Sequence, residues 1–499
     1  MECIGCKCNR PVAPTEGEPM TPTLPPYPAY KDSGVPWLGQ VPAHWEVKGN
    51  KFLLQEVNER SEDGSEELLT VSQYTGVTRR RERLAGEGDL LTNAASLVGY
   101  KRVKPGDLVM NIMLAWNGSL GVSSISGIVS PSYCVFRTKR DGVDSRFLHY
   151  LFRTPSYTGA FKTVSTGVVD SRLRLYPDVF LRLPSVVPPL PEQTAIVRFL
   201  DYMDRRIRRS IRAKQKLIKL LEEYRQALIH QAVTGKIDVR TGKPYPAYKD
   251  SGVPWLGKVP EQWEVIPLKR LGWFKSGAGF PVHYQGETSA EIPFFKVSDM
   301  NIPGNEKYLH VGANSVSMAV AQDLGATVLP AGTIVFPKVG GALLTNKRRI
   351  AAHDCCIDNN MMGCVVRNGN RDFLFFIMSY IDLGQIAKPG PVPAISEGEV
   401  REIRVALPSA PEQTAIVEYL DAQTAKLDTA IGAARREIEL LREYRERLIA
   451  DVVTGKVDVR EVAAQLPEEP PEEVELLEEE AATEEADGED AKEETDDEE

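Results

Sequence analysis

The sequence predicts a mixed α/β (α+β) protein, with two globular α/β domains carried on two long helices and an internal pseudo-two-fold repeat. Three pairs of segments predict this. Residues 27–47 read YPAYKDSGVPWLGQVPAHWEV and residues 245–265 read YPAYKDSGVPWLGKVPEQWEV. PEQTAIV occurs at 191–197 and again at 411–417, and VTGKIDVR at 233–240 is answered by VTGKVDVR at 453–460. The offsets are 218, 220 and 220 residues. Solenoid repeats run only tens of residues, so the duplicated unit is domain-sized. Between the shared segments, about 140 residues in each half show little identity. A constant frame with two different inserts suits a scaffold that presents two different recognition surfaces.

The helices come from the shared segments that follow each insert. Pro191 and Pro411 suit a first helical turn, and Glu192 and Glu412 suit the positive end of the helix dipole. In the second copy Leu420, Thr424, Leu427, Ile431, Ala434, Ile438, Leu441 and Leu448 follow a four-and-three spacing, the pattern of a coiled-coil seam. Ile196, Leu200, Met203, Ile207, Ile211, Ile218, Leu221 and Leu228 trace a similar line in the first. Gly235 and Gly455 suit C-terminal stops. Helices of about 35–40 residues, about 50–60 Å long, cannot bury such a stripe alone, so each is expected to pair with the other. Charge supports the pairing: residues 198–219 hold nine basic and two acidic residues, and 418–439 hold three basic and five acidic. Tyr224, Leu228, Tyr444 and Leu448, near the helix ends, are the expected docking positions for a partner.

The inserts read as strands and short helices. β-branched runs at 107–110, 134–136, 334–336 and 364–366 predict strands, and 147–152 and 373–381 predict helices. KPGDLVMN from Lys104 and PAGTIVFP from Pro330 hold matching places, so one fold with diverged loops is expected in both.

Composition sets the remaining bounds. The chain has 499 residues, enough for two or three cores, and its 42% apolar content is that of a soluble globular protein. No apolar run reaches the length of a membrane span and no signal pattern opens the chain, so no membrane association and a cytoplasmic location are expected. Seven cysteines form no disulfide framework. Cys3, Cys6 and Cys8 lack a fourth donor for a metal knuckle, and no metal site is expected there. Met20, just before the repeat, is a candidate first residue that N-terminal sequencing of the native protein would decide. The net charge of −10 hides an asymmetry: residues 468–499 contain nineteen acids and one lysine, a net of −18, which leaves +8 for residues 1–467. The basic body is therefore followed by an acidic tail, expected to be disordered, as is the Pro-, Thr- and Glu-rich segment 1–25.

No catalytic motif emerges. Leu24-Pro25-Pro26-Tyr27 lacks the side-chain acceptor of an amino-methyltransferase loop, and no Gly-Lys pair precedes Ser or Thr as in a P-loop. Glu46-Val47-Lys48 only faintly resembles a nuclease metal site, and the second copy lacks the lysine. The polar, basic and aromatic runs of the inserts instead point to DNA. Asn111, Trp116, Asn117 and Ser119 form one candidate group with Ser171, Arg172 and Arg174. Lys338, Thr345, Asn346, Lys347, Arg348 and Arg349 form the other. Arg and Asn read guanine and adenine edges through bidentate contacts, while Lys, Ser and Thr reach phosphates. The charge density of the TNKRR run, too high for a buried core, suits a phosphate backbone.

Taken in order, the YKDSGVPWLGxVPxxWEV opening, a variable block, LPxxPEQTAIV and the VTGKxDVR close resemble the specificity subunit of Type I restriction-modification systems over residues 26–460. The resemblance implies target recognition domains at 26–185 and 266–406. It also implies long helices at 186–235 and 407–456, with a linker and repeated opening at 236–265 and the tail from 457. The helices would form an antiparallel coiled coil that separates the two domains. Each domain would read half of a bipartite sequence in double-stranded DNA. The helices would dock two methyltransferase (M) subunits, which bring S-adenosylmethionine, and restriction (R) motor-nuclease subunits would join for cleavage. The chain itself would bind no cofactor and carry no catalysis. The alternatives are a fused or degenerate restriction enzyme with its own nuclease centre, and a coiled-coil scaffold that binds no DNA.

Overall fold

The computed structural model describes residues 24–73, 75–80, 96–139, 142–167, 173–387 and 392–467. It divides into two compact units. Residues up to 213 together with those from 437 onward make the first, and 214–436 make the second. The first is made of two separate stretches of chain and the second is one run inserted between them, and two 44-residue helices, Leu190–Val233 and Ala410–Val453, each contribute to both.

In the first unit the repeated opening forms a hairpin, Tyr30–Asp32 against Gln40–Pro42, and a strand, Glu46–Gly49, that pairs antiparallel with Pro184–Val187. The insert builds an antiparallel sheet in the order Leu54–Val57, Tyr133–Thr138, Leu108–Asn111, Leu120–Val122. Helices Ser145–Phe152, Pro155–Val164 and Pro177–Arg182 cover it. Phe136, Phe147, Phe152, Tyr157, Phe161 and Phe180 fill the space between, all fully buried. The same core takes in Trp45, Ile196, Leu200 and Met203 from the frame, and Leu448, Val452 and Val453 from the end of the second long helix.

The second unit repeats this plan with a larger sheet. Its hairpin is Tyr248–Asp250 against Lys258–Pro260, and Glu264–Pro267 pairs with Arg404–Leu407. Five strands follow the order Gly272–Ser276, Met361–Val366, Ile334–Pro337, Arg349–Ala351, Tyr308–Leu309, the last pair parallel. The inserts therefore share a three-stranded antiparallel centre. Leu54–Val57, Tyr133–Thr138 and Leu108–Asn111 correspond to Gly272–Ser276, Met361–Val366 and Ile334–Pro337. Helix Arg371–Tyr380 takes the place of Ser145–Phe152.

The expected seam residues of the long helices are buried, apart from Thr424, Ile211, Ile218 and Leu221, which are half-buried. The helices run antiparallel. In the first unit Asp204 pairs with Arg445, near opposite ends of their helices, and in the second Glu222 pairs with Arg435 and Arg225 with Asp428. Two of these ion pairs place the acid on the basic helix, the reverse of the expected sense.

What joins the repeated opening to each long helix is a buried carboxylate at the start of that helix. In the first unit Glu192 accepts hydrogen bonds from Tyr27 Oη at 2.6 Å and Trp45 Nε1 at 2.8 Å, and lies 2.7 Å from His44 Nε2. In the second, Glu412 accepts from Tyr245 Oη at 2.7 Å, Trp263 Nε1 at 3.1 Å and Arg240 Nη2 at 3.1 Å. Burial and the bond to glutamate push both phenols well above the usual tyrosine range. The dipole-end role read from sequence therefore understates these glutamates, which clamp the opening segment to the helix. The closing segments complete each station. Gly455, at φ 78°, lies so near Pro42 that an added Cβ would stand 2.4 Å from its ring, and Gly235, at φ 70°, lies equally near Pro260.

Candidate nucleic-acid interface

In both units a strand flanking the middle of the shared centre, Leu108–Asn111 in the first and Ile334–Pro337 in the second, ends in a loop held by a crossing segment. In the first, Leu175 N–H donates to the Ile112 carbonyl at 2.9 Å; in the second, Ile395 N–H donates to the Lys338 carbonyl at 2.9 Å. In the first insert the bond brings together the two candidate segments, which lie far apart in sequence.

In the first unit Asn111 and Ser119 are buried and shape the loop from inside. Asn111 Oδ1 accepts the Met113 N–H at 3.1 Å, the Asn111 N–H bonds the Ser119 carbonyl at 3.1 Å, and Ser119 Oγ donates to Asn117 Oδ1 at 3.1 Å. Trp116 Nε1 donates to the Met113 carbonyl at 2.9 Å, and Lys162 Nζ sits 5.1 Å over its ring. Arg174 is exposed beside this loop, paired through its backbone with Thr166. Ser171 and Arg172 lie outside the described residues. The outer face also carries Met113, Leu114 and Tyr176, which sequence reasoning passed over and which are 44%, 40% and 43% exposed.

In the second unit Lys338 Nζ donates to Ser276 Oγ at 3.1 Å, half-buried at the strand end. The TNKRR run departs from its expected role. Asn346 takes a left-handed backbone at φ 53° and anchors its amide on the Ser379 carbonyl at 3.2 Å. Arg348 is only 3% exposed. Its donors go to Asn346 Oδ1 at 2.7 Å and to the carbonyls of Lys347, Met378 and Ile381, and its guanidinium lies 5.2 Å over the Phe336 ring. Burial pushes it down to about 9. Arg349 donates to the Met300 carbonyl at 2.9 Å, Lys347 to Asn301, and burial lowers both. The run is thus largely a brace that ties the loop to the helix Arg371–Tyr380, and the premise that three charges exclude a core is corrected for Arg348. A guanidinium can be buried where backbone carbonyls take up its donors. Thr345 remains exposed, with its hydroxyl on the Ala342 carbonyl at 2.7 Å.

Of the expected docking positions, Leu228 and Leu448 are buried and Tyr444 packs against the first unit's core. Only Tyr224 is open, at 55%. The exposed large apolar positions on the helices are instead Leu217, Leu220 and Tyr224 in the second unit and Leu190 and Leu440 in the first. Leu220 and Leu440 are equivalent positions of the repeat.

Glu46, the acid of the faint nuclease-like triplet, is exposed and paired with Lys48. Among the described residues no three His, Cys, Asp or Glu side chains are placed to hold a metal ion, and no helix is long and apolar enough to cross a membrane.

Two α/β units, each completed by halves of two antiparallel helices, have a counterpart among solved structures. A structure described as the basis of complex assembly and conformational transition of the type I R-M system superposes with a TM-score of 0.61 at 17% identity, covering 84% of this chain and 99% of that one. The curated homologues of the chain are specificity subunits of Type I restriction enzymes. The MjaIX subunit of Methanocaldococcus jannaschii is 22% identical over 452 residues, 85% of this chain and 96% of its own length. The MjaVIII subunit of the same organism is 22% identical over 408 residues, 79% and 88%. The EcoBI subunit of Escherichia coli is 24% identical over 195 residues, 39% of each chain. No family model matches.

Proposed function

We propose that this chain is the sequence-specific DNA-binding subunit of a Type I restriction-modification complex, reading a bipartite, asymmetric site in double-stranded DNA. One observation carries the reading. Equivalent strand ends in the two units bear loops of unlike chemistry, Trp116, Asn117 and Arg174 on one and Lys338 and Thr345 on the other. Equivalent positions with different donors and apolar faces are suited to two unrelated half-sites.

The methylation and cleavage chemistry belongs to the partners. Two methyltransferase subunits, holding S-adenosylmethionine, would dock on the exposed Leu220 and Leu440 positions, with Leu217 and Tyr224 beside the former. Motor-nuclease subunits would join for restriction, in the cytoplasm. Selection from a random duplex pool by the chain assembled with its methyltransferase tests the reading. Recovered duplexes should share two unlike blocks at a constant spacing, and a pool without common sequence would overturn it. Mass measurement should give two methyltransferase chains per specificity chain, and a stable dimer of this chain that binds its target tightly would contradict the docking.

A further inference from the structure

The loop that follows strand Leu108–Asn111 turns large apolar side chains outward. Ala115 is fully buried and Leu120 returns the chain to the core, so the residues between the strand end and Ala115 are pushed away from it. Their course is pinned by hydrogen bonds. Asn111 Oδ1 accepts the Met113 N–H at 3.1 Å, the Leu114 N–H donates to the Asn111 carbonyl at 3.1 Å, and Trp116 Nε1 donates to the Met113 carbonyl at 2.9 Å. Met113 and Leu114 are left 44% and 40% exposed. Tyr176, 43% exposed, comes from the crossing segment. Its neighbour Leu175 is buried and bonded to Ile112, and its carbonyl accepts the Val179 and Phe180 N–H groups at 3.1 and 3.0 Å. The tip therefore stands on backbone held from both segments.

The repeat supplies an internal contrast. Ile112 and Lys338 accept the same crossing bond, from Leu175 and Ile395, and laying these pairs on one another puts Val339, Gly340 and Ser396 at the places of Met113, Leu114 and Tyr176. The Ser396 hydroxyl caps the helix Glu397–Glu402. The second unit thus builds the same junction without an apolar tip, and the fold does not require one.

The surroundings say what covers the tip. Arg174 is exposed beside it, Lys162 lies over the Trp116 ring, and Asp178, the acid of the crossing segment, is paired with Arg182 at 3.1 Å. A stable protein interface takes roughly 800 Å² from each partner, far more than three half-exposed side chains offer. Apolar points within a basic, hydrogen-bonding rim match one element of duplex DNA. Base edges in the major groove are polar except for the C5-methyl group of thymine, and phosphates flank them.

Resting on the DNA-binding reading above, we propose that Met113 and Leu114, with Tyr176 beside them, read thymine in the first unit's half-site by contact with its C5-methyl group. The second unit does not share this mode at the equivalent positions.

The chain assembled with its methyltransferase, on the duplex recovered by selection, tests this. Each thymine of either strand is replaced in turn by deoxyuridine, which removes the methyl group and keeps the pairing edge. Burial of one methyl is worth about a three- to fivefold change in affinity, so at least one position should show that loss, and all such positions coupled to the tip should fall in one half-site. In M113A/L114A those positions should become indifferent to uracil, while the other half-site responds as in wild type. Met113→Ala and Leu114→Ala singly give the same reading should the double variant bind too weakly to measure. Specific binding with no uracil-sensitive position, or with sensitivity that survives the alanine changes, would overturn the proposal and leave the DNA-binding reading standing. Variants that weaken binding without altering the response to uracil would assign the tip to a wedge between base pairs or to a protein contact, and the proposal also fails. A wild-type complex that recovers no common sequence would sink both readings.

Discussion

The stations around Glu192 and Glu412 are alike in almost every atom that matters, while the loops at Ile112 and Lys338 share little beyond one backbone hydrogen bond. At each station a buried carboxylate takes a tyrosine hydroxyl and a tryptophan N–H, and a glycine at positive φ lets the closing segment press on a proline. Only the third partner differs. Glu192 meets His44, with Arg460 stacked 5.3 Å over Tyr27, whereas Glu412 takes Arg240 directly. The frame depends on the buried carboxylate and its two aromatic donors and tolerates exchange of the third partner. The loops are free of that constraint and can differ in chemistry without cost to the frame.

The largest effects should come from the frame. Trp45→Ala and Trp263→Ala each remove a fully buried indole and leave a glutamate short of one donor, costing about 3–5 kcal/mol. Hydrogen exchange should show the loss confined to the first unit in one case and to the second in the other. Equal loosening of both units by either change would break the comparison. Gly455→Ala and Gly235→Ala should follow at about 1–3 kcal/mol, because the new methyl meets a proline ring and the backbone is left-handed, and paired thermal melts should give similar shifts.

The inserts should separate where the frame does not. Arg348→Ala should destabilise the second unit by about 1–3 kcal/mol through unsatisfied carbonyls, with no change in the salt dependence of DNA binding. A flattened salt slope would return Arg348 to the interface. Acid should act on the first unit earlier. His149 Nδ1 accepts the Val122 N–H at 3.1 Å, and burial with Arg153 nearby pushes the imidazole down to about 3. Its folded value lies below the unfolded one of about 6.5, so its contribution is complete above that pH and falls by up to about 1.4 kcal/mol per unit toward 3. Phe375 holds the matching place in the second unit when Phe147 is laid on Phe373, so unit-resolved exchange should show the first unit loosening first as pH drops. The smallest effect is expected for Arg174→Ala, a loss of about 0.9 in the log–log salt slope if one phosphate contact is removed, measured by titration over a range of salt.

Much of the frame was legible because duplication prints it twice and helical periodicity marks its buried side. The strands at 108–111 and 334–337 and the helices over 147–152 and 373–380 were legible from β-branched and apolar runs. The clamps at Glu192 and Glu412 were not, because a glutamate in a first helical turn has a sufficient local explanation, and the donors that bury it lie about 150 residues away. Arg348 misled for a similar reason, since its carbonyl partners come from a helix some 30 residues later. Met113 and Leu114 escaped notice because apolar residues next to a buried strand read as core, and only the turn closed by Asn111 and Ser119 turns them outward.

The most direct test of the account exchanges residues 48–185 for the corresponding block of another Type I specificity subunit and maps methylated adenines in cells carrying the hybrid with its methyltransferase. The account predicts that one block of the recognised sequence changes and the other stays as it was. Simultaneous change of both blocks would contradict the independence of the two units.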